Sequence, residues 1–282
     1  MDREFFDGEF VSFLECAGIL KSVAISRNLG GFRDAKGLRH LVRSWCLSLH
    51  TFLFSVGELI ITLEDVVNNF LLPVFSEENP FDINLSSEDL EVEDKLSDHF
   101  GWRIASPNGK LARMGKWVMN LSREKDKAVR RARFLALWLS KFLFSEFLGY
   151  VVKSIFFPLA IRLAWGAQYP LASMFLGHVY SQLDLLHGDE VEGDSCYAIT
   201  SSLHCAILHV FMWDCSSVTL AKYRSLKFIK GKFQGSSDVI NGLCGSSTDS
   251  HPIIFRLANL KGGSLNLIKL FDQAGHLSWR SP

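Results

Sequence analysis

The stretch that decides the fold runs from residue 50 to residue 74 and reads HTFLFSVGELIITLEDVVNNFLLPV. In its first half, about residues 51–62, β-branched and aromatic residues flank a Ser-Val-Gly-Glu turn, which predicts a β-hairpin. Thr62 then stands where a helix N-cap belongs, and Pro73 prevents the helix from continuing. The predicted apolar stripe of this short helix is Val66, Val67, Phe70 and Leu71. All these signals direct folding, and none places a nucleophile beside a general base.

Two helices are predicted upstream of the hairpin. EFVSFLECAGIL (residues 9–20) and DAKGLRHLVRSWCLSL (residues 34–49) both carry apolar residues at helical spacing. Asp34 is the predicted N-cap of the second helix. The predicted buried face of that helix is Leu38, Leu41, Val42 and Trp45.

The second half of the chain has the pattern of several packed helices. Pro158 and Pro170 stand at first helical positions, and Gly166 and Gly188 stand where helices are expected to end. Asp194 is the predicted cap of the last helix. Helices this apolar must pack on one another, so residues 131–215 are predicted to form a helical bundle. The predicted apolar positions of the last two helices are Leu171, Phe175, Val179, Leu183, Leu186, Tyr197, Ile199, Leu203, Ile207 and Phe211.

The sequence therefore predicts a mainly α fold: a helical bundle with a small β-hairpin, and weak strands in SLNLIKLF and GHLSW near the end. Four segments are predicted. Residues 1–75 form the N-terminal part of one domain and 76–130 an acidic then basic linker or insertion. Residues 131–232 form the helical second half of the same domain, and 233–282 a loop-rich tail.

Composition excludes several classes of protein. Hydrophobic residues make up 48% of the chain, which excludes disorder over most of its length. Lys plus Arg and Asp plus Glu both number 30, so no global field attracts nucleic acid or anionic lipid. The N-terminus, MDREFFDGEF, lacks the pattern of a signal peptide. Six cysteines without a C-x-x-C pair fit a reducing compartment, the cytosol or the nucleus.

Two apolar stretches are long enough to raise the question of a membrane helix. In residues 134–164, Lys141, Glu146, Lys153 and Arg162 interrupt every window of spanning length. Residues 195–213 carry no charge, but Ser, Thr and His occupy six of the 19 positions, so a buried core helix is favoured.

Charge is strongly segregated in the middle of the chain. Residues 76–98 contain nine acids and one base, a net charge of −8, whereas residues 103–133 contain ten bases and two acids, a net charge of +8. A linker that folds back on its basic neighbour is favoured, and a nucleic-acid patch is the alternative. That patch would use Arg123, Lys127, Arg130 and Arg131, together with the basic segment 222–232. The bases of that second segment are Lys222, Arg224, Lys227, Lys230 and Lys232.

A metal site is a weaker alternative. Cys205 and His209 are four residues apart and would share a helical face, as two zinc ligands could, whereas His204 and His209 would diverge. The acids of HGDEVEGD, residues 187–194, are Asp189, Glu190, Glu192 and Asp194. A free core cysteine, hydrogen-bonded histidines and a solvated acidic loop are the favoured interpretation, and a cryptic metal-dependent hydrolase is the alternative.

No motif for a nucleotide or for an α/β-hydrolase nucleophile occurs. The patterns G-x-x-x-x-G-K-[ST], G-x-G-x-x-G and G-x-S-x-G are all absent from the sequence. We therefore expect no cofactor and no small-molecule substrate, although a carboxylate pair brought together from distant segments stays open.

LRHLVRSWCLSLHTFLFSVGELIITLEDVVNNFLLPV resembles the signature of the plant mobile domain, also called the aminotransferase-like plant mobile domain. RARFLALWLSKFLF and FFPLAIRLAWGAQYPLASMFLGHVYSQLDLL are similar to the second half of that family, and the likeness covers about residues 8–230. The signature positions are Arg43, Trp45, His50, Thr51, Phe52, Gly57, Glu58, Thr62, Leu63, Glu64, Asp65, Val66, Leu72 and Pro73.

The resemblance implies a plant-specific domain that transposable elements share with host genes. Host members related to the maintenance-of-meristems proteins are nuclear, are linked to transposon silencing, genome stability and meristem maintenance, and act with a phosphatase-like partner. The resemblance implies no catalytic residues. The aminotransferase-like label finds no support here, because a pyridoxal-phosphate enzyme needs a Schiff-base lysine in a phosphate-holding site.

The chain departs from the family pattern at two places. Leu53-Phe54-Ser55 stands where the family often has His-Leu-Pro, and Leu71-Leu72-Pro73 stands where it often has Gly-Leu-Pro. The family domain also often continues beyond HLSWRSP, so a fragment or a degenerate transposon copy stays an alternative. The sequence thus predicts a non-enzymatic nuclear interaction module that binds a protein partner.

Overall fold

The computed structural model describes residues 7–27, 35–55, 57–76, 78–98, 104–106, 109–145, 151–193 and 205–214. Within them the helices, in chain order, are α1 (Gly8–Cys16), α2 (Leu20–Arg27), α3 (Ala35–Arg43), α4 (Leu63–Phe70), α5 (Ser87–Ser97), α6 (Met114–Arg123), α7 (Lys127–Trp138), α8 (Phe157–Ala164), α9 (Leu171–Glu192) and α10 (Cys205–Asp214). The strands are β1 (Trp45–Cys46), β2 (Thr51–Phe54), β3 (Gly57–Leu59), β4 (Ile104–Ser106), β5 (Gly109–Arg113) and β6 (Val151–Lys153). The predicted mainly α fold with a small hairpin is confirmed. The predicted C-terminal strands lie outside the described residues.

The chain divides into two compact units. The first unit consists of Met1–Val23 and Leu72–Phe175, and the second of Ala24–Leu71 and Leu176–Pro282. One boundary falls directly after α4, close to the predicted boundary at residue 75, and the other two fall inside α2 and α9.

The core of the first unit is built around α7. This helix packs against α5, α6 and α8, and every residue from Val129 to Ser140 is buried. A π-helical turn, Leu139–Leu143, extends α7, and a 3₁₀ turn, Ser154–Phe156, leads into α8. Strands β4, β5 and β6 form an antiparallel sheet in that order.

The predicted linker of residues 76–130 differs from the observed structure. It contains α5, β4, β5, α6 and the first residues of α7. A capping box fixes the start of α5, because the Ser86 and Asp89 side chains each accept from the other's backbone N–H. Since Val92 and Leu96 of this acidic helix are buried, the segment belongs to the core of the first unit.

The second unit contains the predicted hairpin as β2 and β3, and β1 adds a third strand to it. Strands β1, β2 and β3 are antiparallel neighbours, with Trp45 opposite Phe52 and Phe52 opposite Leu59. The predicted helix of residues 34–49 therefore ends early, at Arg43, and Trp45 is buried on a strand. Leu38, Leu41 and Val42 are buried as predicted. Asp34 lies outside the described residues.

Glycine positions explain two further differences. The predicted helix of residues 9–20 is broken into α1 and α2, because Gly18 has a φ of 70°, a left-handed conformation that ends a helix. Gly166, with a φ of 88°, follows α8 as predicted, whereas Gly188 lies inside α9. That helix continues to Glu192, before Gly193 at a φ of 78°. Residues 187–192 are therefore helical and do not form a loop.

Candidate functional site

The family-like signature of the sequence falls mainly in the second unit, on the β1–β3 sheet and the helices beside it. Trp45 is 2% exposed and stands on β1 with its ring against Phe52, at 4.9 Å between centroids, and Tyr180, at 5.4 Å. Its Nε1–H donates to Asp184 Oδ1 at 2.7 Å. Because a buried indole N–H needs an acceptor, this contact ties β1 to α9.

His50 meets the same carboxylate. It has a φ of 53°, a left-handed conformation that is uncommon outside glycine, and directly precedes β2. Its Nε2 lies 3.2 Å from Asp184 Oδ2, and its ring is parallel to that of Tyr180 within 2°, at 6.0 Å between centroids. Asp184 therefore contacts a signature residue through each of its two oxygens.

Tyr180 anchors the end of the sheet. Its hydroxyl donates to the backbone carbonyl of Ile61 at 2.5 Å. Burial raises the pKa of Tyr180, and the negative charge of Asp65 raises it further. The phenol therefore acts as a neutral hydrogen-bond donor.

The Thr-Leu-Glu-Asp-Val part of the signature forms a capping box at the start of α4. Asp65 Oδ2 accepts from the Thr62 N–H at 2.8 Å and from the Thr62 hydroxyl at 2.9 Å, and the Asp65 N–H donates to Thr62 Oγ1 at 3.3 Å. Asn69 Nδ2 donates to the Asp65 carbonyl at 2.8 Å. The predicted cap is confirmed, and Asp65 is buried because the cap needs its carboxylate. Val66 and Phe70 are buried as predicted, whereas Val67 and Leu71 are half-buried and Leu71, at a φ of 53°, caps the helix.

Arg43, the first signature residue, pairs with the acidic end of α9. Its Nε donates to Glu190 Oε1 at 2.7 Å, and Arg39 Nε lies 3.8 Å from Glu190 Oε2. One turn earlier, His187 Nδ1 lies 2.9 Å from the carbonyl of Val42. Glu190, one of the acids of residues 187–192, thus forms ion pairs with α3 and has a structural role.

The remaining signature residues also have structural positions. Thr51 and Phe52 are buried on β2, and Gly57 and Glu58 lie on β3 opposite Phe54 and Leu53. Leu63 and Glu64 occupy the first turn of α4. In the first unit Leu72 is buried, and the Pro73 carbonyl accepts from the Ala172 N–H at 2.9 Å.

Sequence reasoning missed Asp184, Tyr180 and Cys46. Asp184 and Tyr180 lie more than 115 residues from their partners, and the only signal was polar residues within the apolar pattern of α9. Cys46 Sγ lies 3.3 Å from Ser48 Oγ, and that contact, with the N–H groups of Leu49 and Ser48, lowers the pKa of the thiol.

The four candidate nucleic-acid residues do not form one open basic face. Arg131 is 3% exposed and donates to Asp7 Oδ2 at 3.0 Å and Glu9 Oε2 at 2.6 Å. Its guanidinium lies 5.6 Å from the ring centroid of Phe10 and 5.4 Å from that of Phe13. The hydrogen bond from Arg131 lowers the pKa of Asp7.

The other three candidates are placed differently. Arg130 is also buried, and its Nη2 lies 4.0 Å from Asp7 Oδ2. Arg123 and Lys127 are exposed, with Lys127 Nζ 3.8 Å from Glu9 Oε2. The basic segment 222–232 lies outside the described residues.

The weak metal candidates lie on α10. Cys205 and His209 are both buried there, four residues apart. In the described part of the chain, no group of three His, Cys, Asp or Glu side chains is arranged to hold a metal ion. His204 and Asp194 lie outside that part. The described helices likewise include none with the length and apolar character that crossing a membrane requires.

Comparison with known proteins agrees with the signature. Searches of curated proteins and of solved structures find no match to the chain. The plant mobile domain family model matches residues 18–225, which is 208 of 282 residues, or about three quarters of the chain. The matched region contains every signature residue described above. The chain therefore belongs to the transposon-related plant mobile domain family.

Proposed function

We propose that this protein is a nuclear protein-interaction module without catalytic activity of its own. The supporting observation is that several signature side chains are engaged in hydrogen bonds inside the unit while aliphatic side chains on and beside their sheet are left in solvent. Asp184 contacts Trp45 and His50, and Asp65 contacts Thr62. Such side chains hold a surface in shape and do not themselves pair a nucleophile with a base.

The interaction surface is the sheet patch, which we define as Leu47, Leu49, Leu53 and Ile60. These residues are 48%, 55%, 48% and 42% exposed, and all lie on or next to β1, β2 and β3. Leu53 stands opposite Glu58 on the neighbouring strand. Grouped exposed aliphatic side chains with a polar neighbour are typical of the centre of a protein–protein interface.

The partner we propose is a phosphatase-like protein, as in host members of the family. Through that partner the module would contribute to transposon silencing, genome stability and meristem maintenance. Burying these leucines on association would remove apolar surface from water and so favour binding.

Co-purification of the intact, tagged chain from plant nuclei tests the proposal. We expect the wild-type chain to be nuclear and to retain a phosphatase-like protein. The double variant Leu49→Glu, Leu53→Glu should lose that protein, because each added charge would be buried without a partner in the complex.

The matched control is Leu185→Glu, the same change at a leucine of α9 that is 63% exposed and outside the sheet patch. It should keep the partner. A cytosolic protein without partners, or equal loss in both variants, would contradict the proposed interaction. Turnover of a substrate by the purified chain would contradict the non-catalytic part.

A further inference from the structure

The first unit presents one exposed aromatic ring on a tight turn, apart from the sheet patch of the second unit. Phe81 is 90% exposed, although a phenylalanine gains from burial more than almost any other side chain. It is the third residue of the turn Asn79-Pro80-Phe81-Asp82, in which the Asp82 N–H donates to the Asn79 carbonyl at 3.2 Å. The Phe81 N–H donates to Asn79 Oδ1 at 3.0 Å. Asn at the first position and Pro at the second favour this turn before any partner binds.

The turn is held at its N-terminal side by an ion pair and a phenol. Glu78 Oε1 accepts from Arg162 Nη2 at 2.8 Å, and Glu78 Oε2 accepts from the Tyr169 hydroxyl at 2.5 Å. The Ser76 hydroxyl, which lies just before, donates to the Gln168 carbonyl. These bonds attach Glu78, which directly precedes Asn79, to α8 and to the residues that follow α8.

The C-terminal side is held by the start of α5. Asp89, which closes the capping box with Ser86, also accepts from Trp165 Nε1 at 3.0 Å. Because both ends of residues 79–85 are attached to the first unit, the ring of Phe81 is displayed at a defined place and loses little conformational freedom on binding.

The sequence around Phe81 is strongly acidic. The segment 76–98 has a net charge of −8, from nine acids and one base. Some of these acids are engaged inside the unit, as described for Glu78 and Asp89. The exposed acids beside the turn and along α5 are Asp82, Glu88, Glu91, Asp94 and Asp98.

We propose that the Asn79-Pro80-Phe81-Asp82 turn is a docking element that inserts the Phe81 ring into an apolar pocket with a basic rim on a partner protein. The apolar ring requires a pocket, and the acids around it favour a positively charged rim through charge complementarity. This surface lies in the first unit and is independent of the sheet patch, so either proposal can fail alone.

Photo-crosslinking with the intact chain tests the docking element. The probe carries benzoylphenylalanine in place of Phe81, and the matched control carries it in place of Phe75. Phe75 is 85% exposed and directly precedes the acidic segment 76–98, but it is not part of the turn. After irradiation in plant extract, proteins attached to the position-81 probe alone are identified and then purified for titration against the unmodified chain.

We expect a directly binding protein whose affinity falls about 10-fold or more with Phe81→Ala, because the ring is the buried anchor. Asn79→Ala should weaken binding several-fold by releasing the turn, while Phe75→Ala leaves the affinity unchanged. Raising the salt concentration should weaken binding, since the rim contacts are between charges. Because Phe75 and Phe81 are both exposed, Phe75→Ala and Phe81→Ala should each keep the melting temperature of the wild type.

Several results would overturn the proposal. They are the absence of any crosslink specific to position 81, equal effects of Phe75→Ala and Phe81→Ala, and an affinity that does not depend on salt. Crosslinking only to a second copy of this chain, or only to nucleic acid, would also overturn the proposal, because the turn would then bind something other than the proposed partner protein.

Discussion

Replacing Trp45 with phenylalanine separates the packing of the signature tryptophan from its hydrogen bond. Trp45 is 2% exposed, and its Nε1–H is 2.7 Å from Asp184 Oδ1. Phenylalanine keeps an aromatic ring against Phe52 and Tyr180 but has no donor. If the signature is structural, the free energy of unfolding of the second unit should fall by the contribution of that bond plus the packing lost with the smaller ring.

The structure sets the expected size of that loss. A hydrogen bond to a charged group contributes about 1.5–3 kcal/mol to stability. The Asp184 side chain is 35% exposed, so water can replace part of the bond, and we expect the bond to account for about 1–1.5 kcal/mol of the loss. Trp45→Ala also leaves a cavity and should cost about 3–5 kcal/mol.

Equilibrium denaturation of the intact chain, followed by circular dichroism, measures these losses. Trp45→Phe should cost about 1 kcal/mol less once Asp184→Ala has already removed the acceptor, and that difference is the coupling in the double-mutant cycle. Equal losses for Trp45→Phe and Trp45→Ala, or additive effects of the two changes, would refute the assignment of the bond.

Three further predictions use the same measurement or a binding assay. Thr62→Ala should destabilise the protein by about 1 kcal/mol by removing the cap, whereas Thr62→Ser, which keeps the hydroxyl, should have a much smaller effect. Arg131→Met should cost about 2–3 kcal/mol at pH 7, because it removes the hydrogen bond to the mostly buried Asp7 carboxylate and leaves it only the longer ion pair with Arg130, at 4.0 Å. Since Arg131 lowers the pKa of Asp7, this stabilisation is present above the ordinary value of 3.8 and is lost as the pH falls through the lower folded-state pKa. A stability difference that grows in acid would therefore contradict the pairing. Arg123→Gln with Lys127→Gln should change DNA affinity less than about two-fold, and a ten-fold loss would restore residues 103–133 as a nucleic-acid face.

Features encoded by residues close together in the chain were predictable. Thr62 caps α4 as the sequence predicts, and the Asp65 side chain completes the capping box three residues later. Gly166 ends α8 because the left-handed conformation favours glycine wherever a helix stops. The family signature was equally readable, because it is a linear pattern.

Helix ends that depend on distant partners were predicted less well. Gly188 was expected to end α9, but the helix continues for another turn, which contains Glu190 and its ion pair with Arg43. The predicted helix through Trp45 ends early because Trp45 pairs with Phe52 on a strand. A one-dimensional pattern weighs only local propensity, and these outcomes depend on which strand or helix lies alongside.

The sequence by itself determined the mainly helical fold, the hairpin with its capped helix, and membership in the plant mobile domain family. These properties follow from local spacing, turn residues and a linear signature. Only the tertiary structure decided which polar residues are engaged: Arg131 with Asp7, and Trp45 with Asp184. The physical reason is that such pairs join residues more than 120 positions apart, so their burial and charge compensation exist only once the chain has folded.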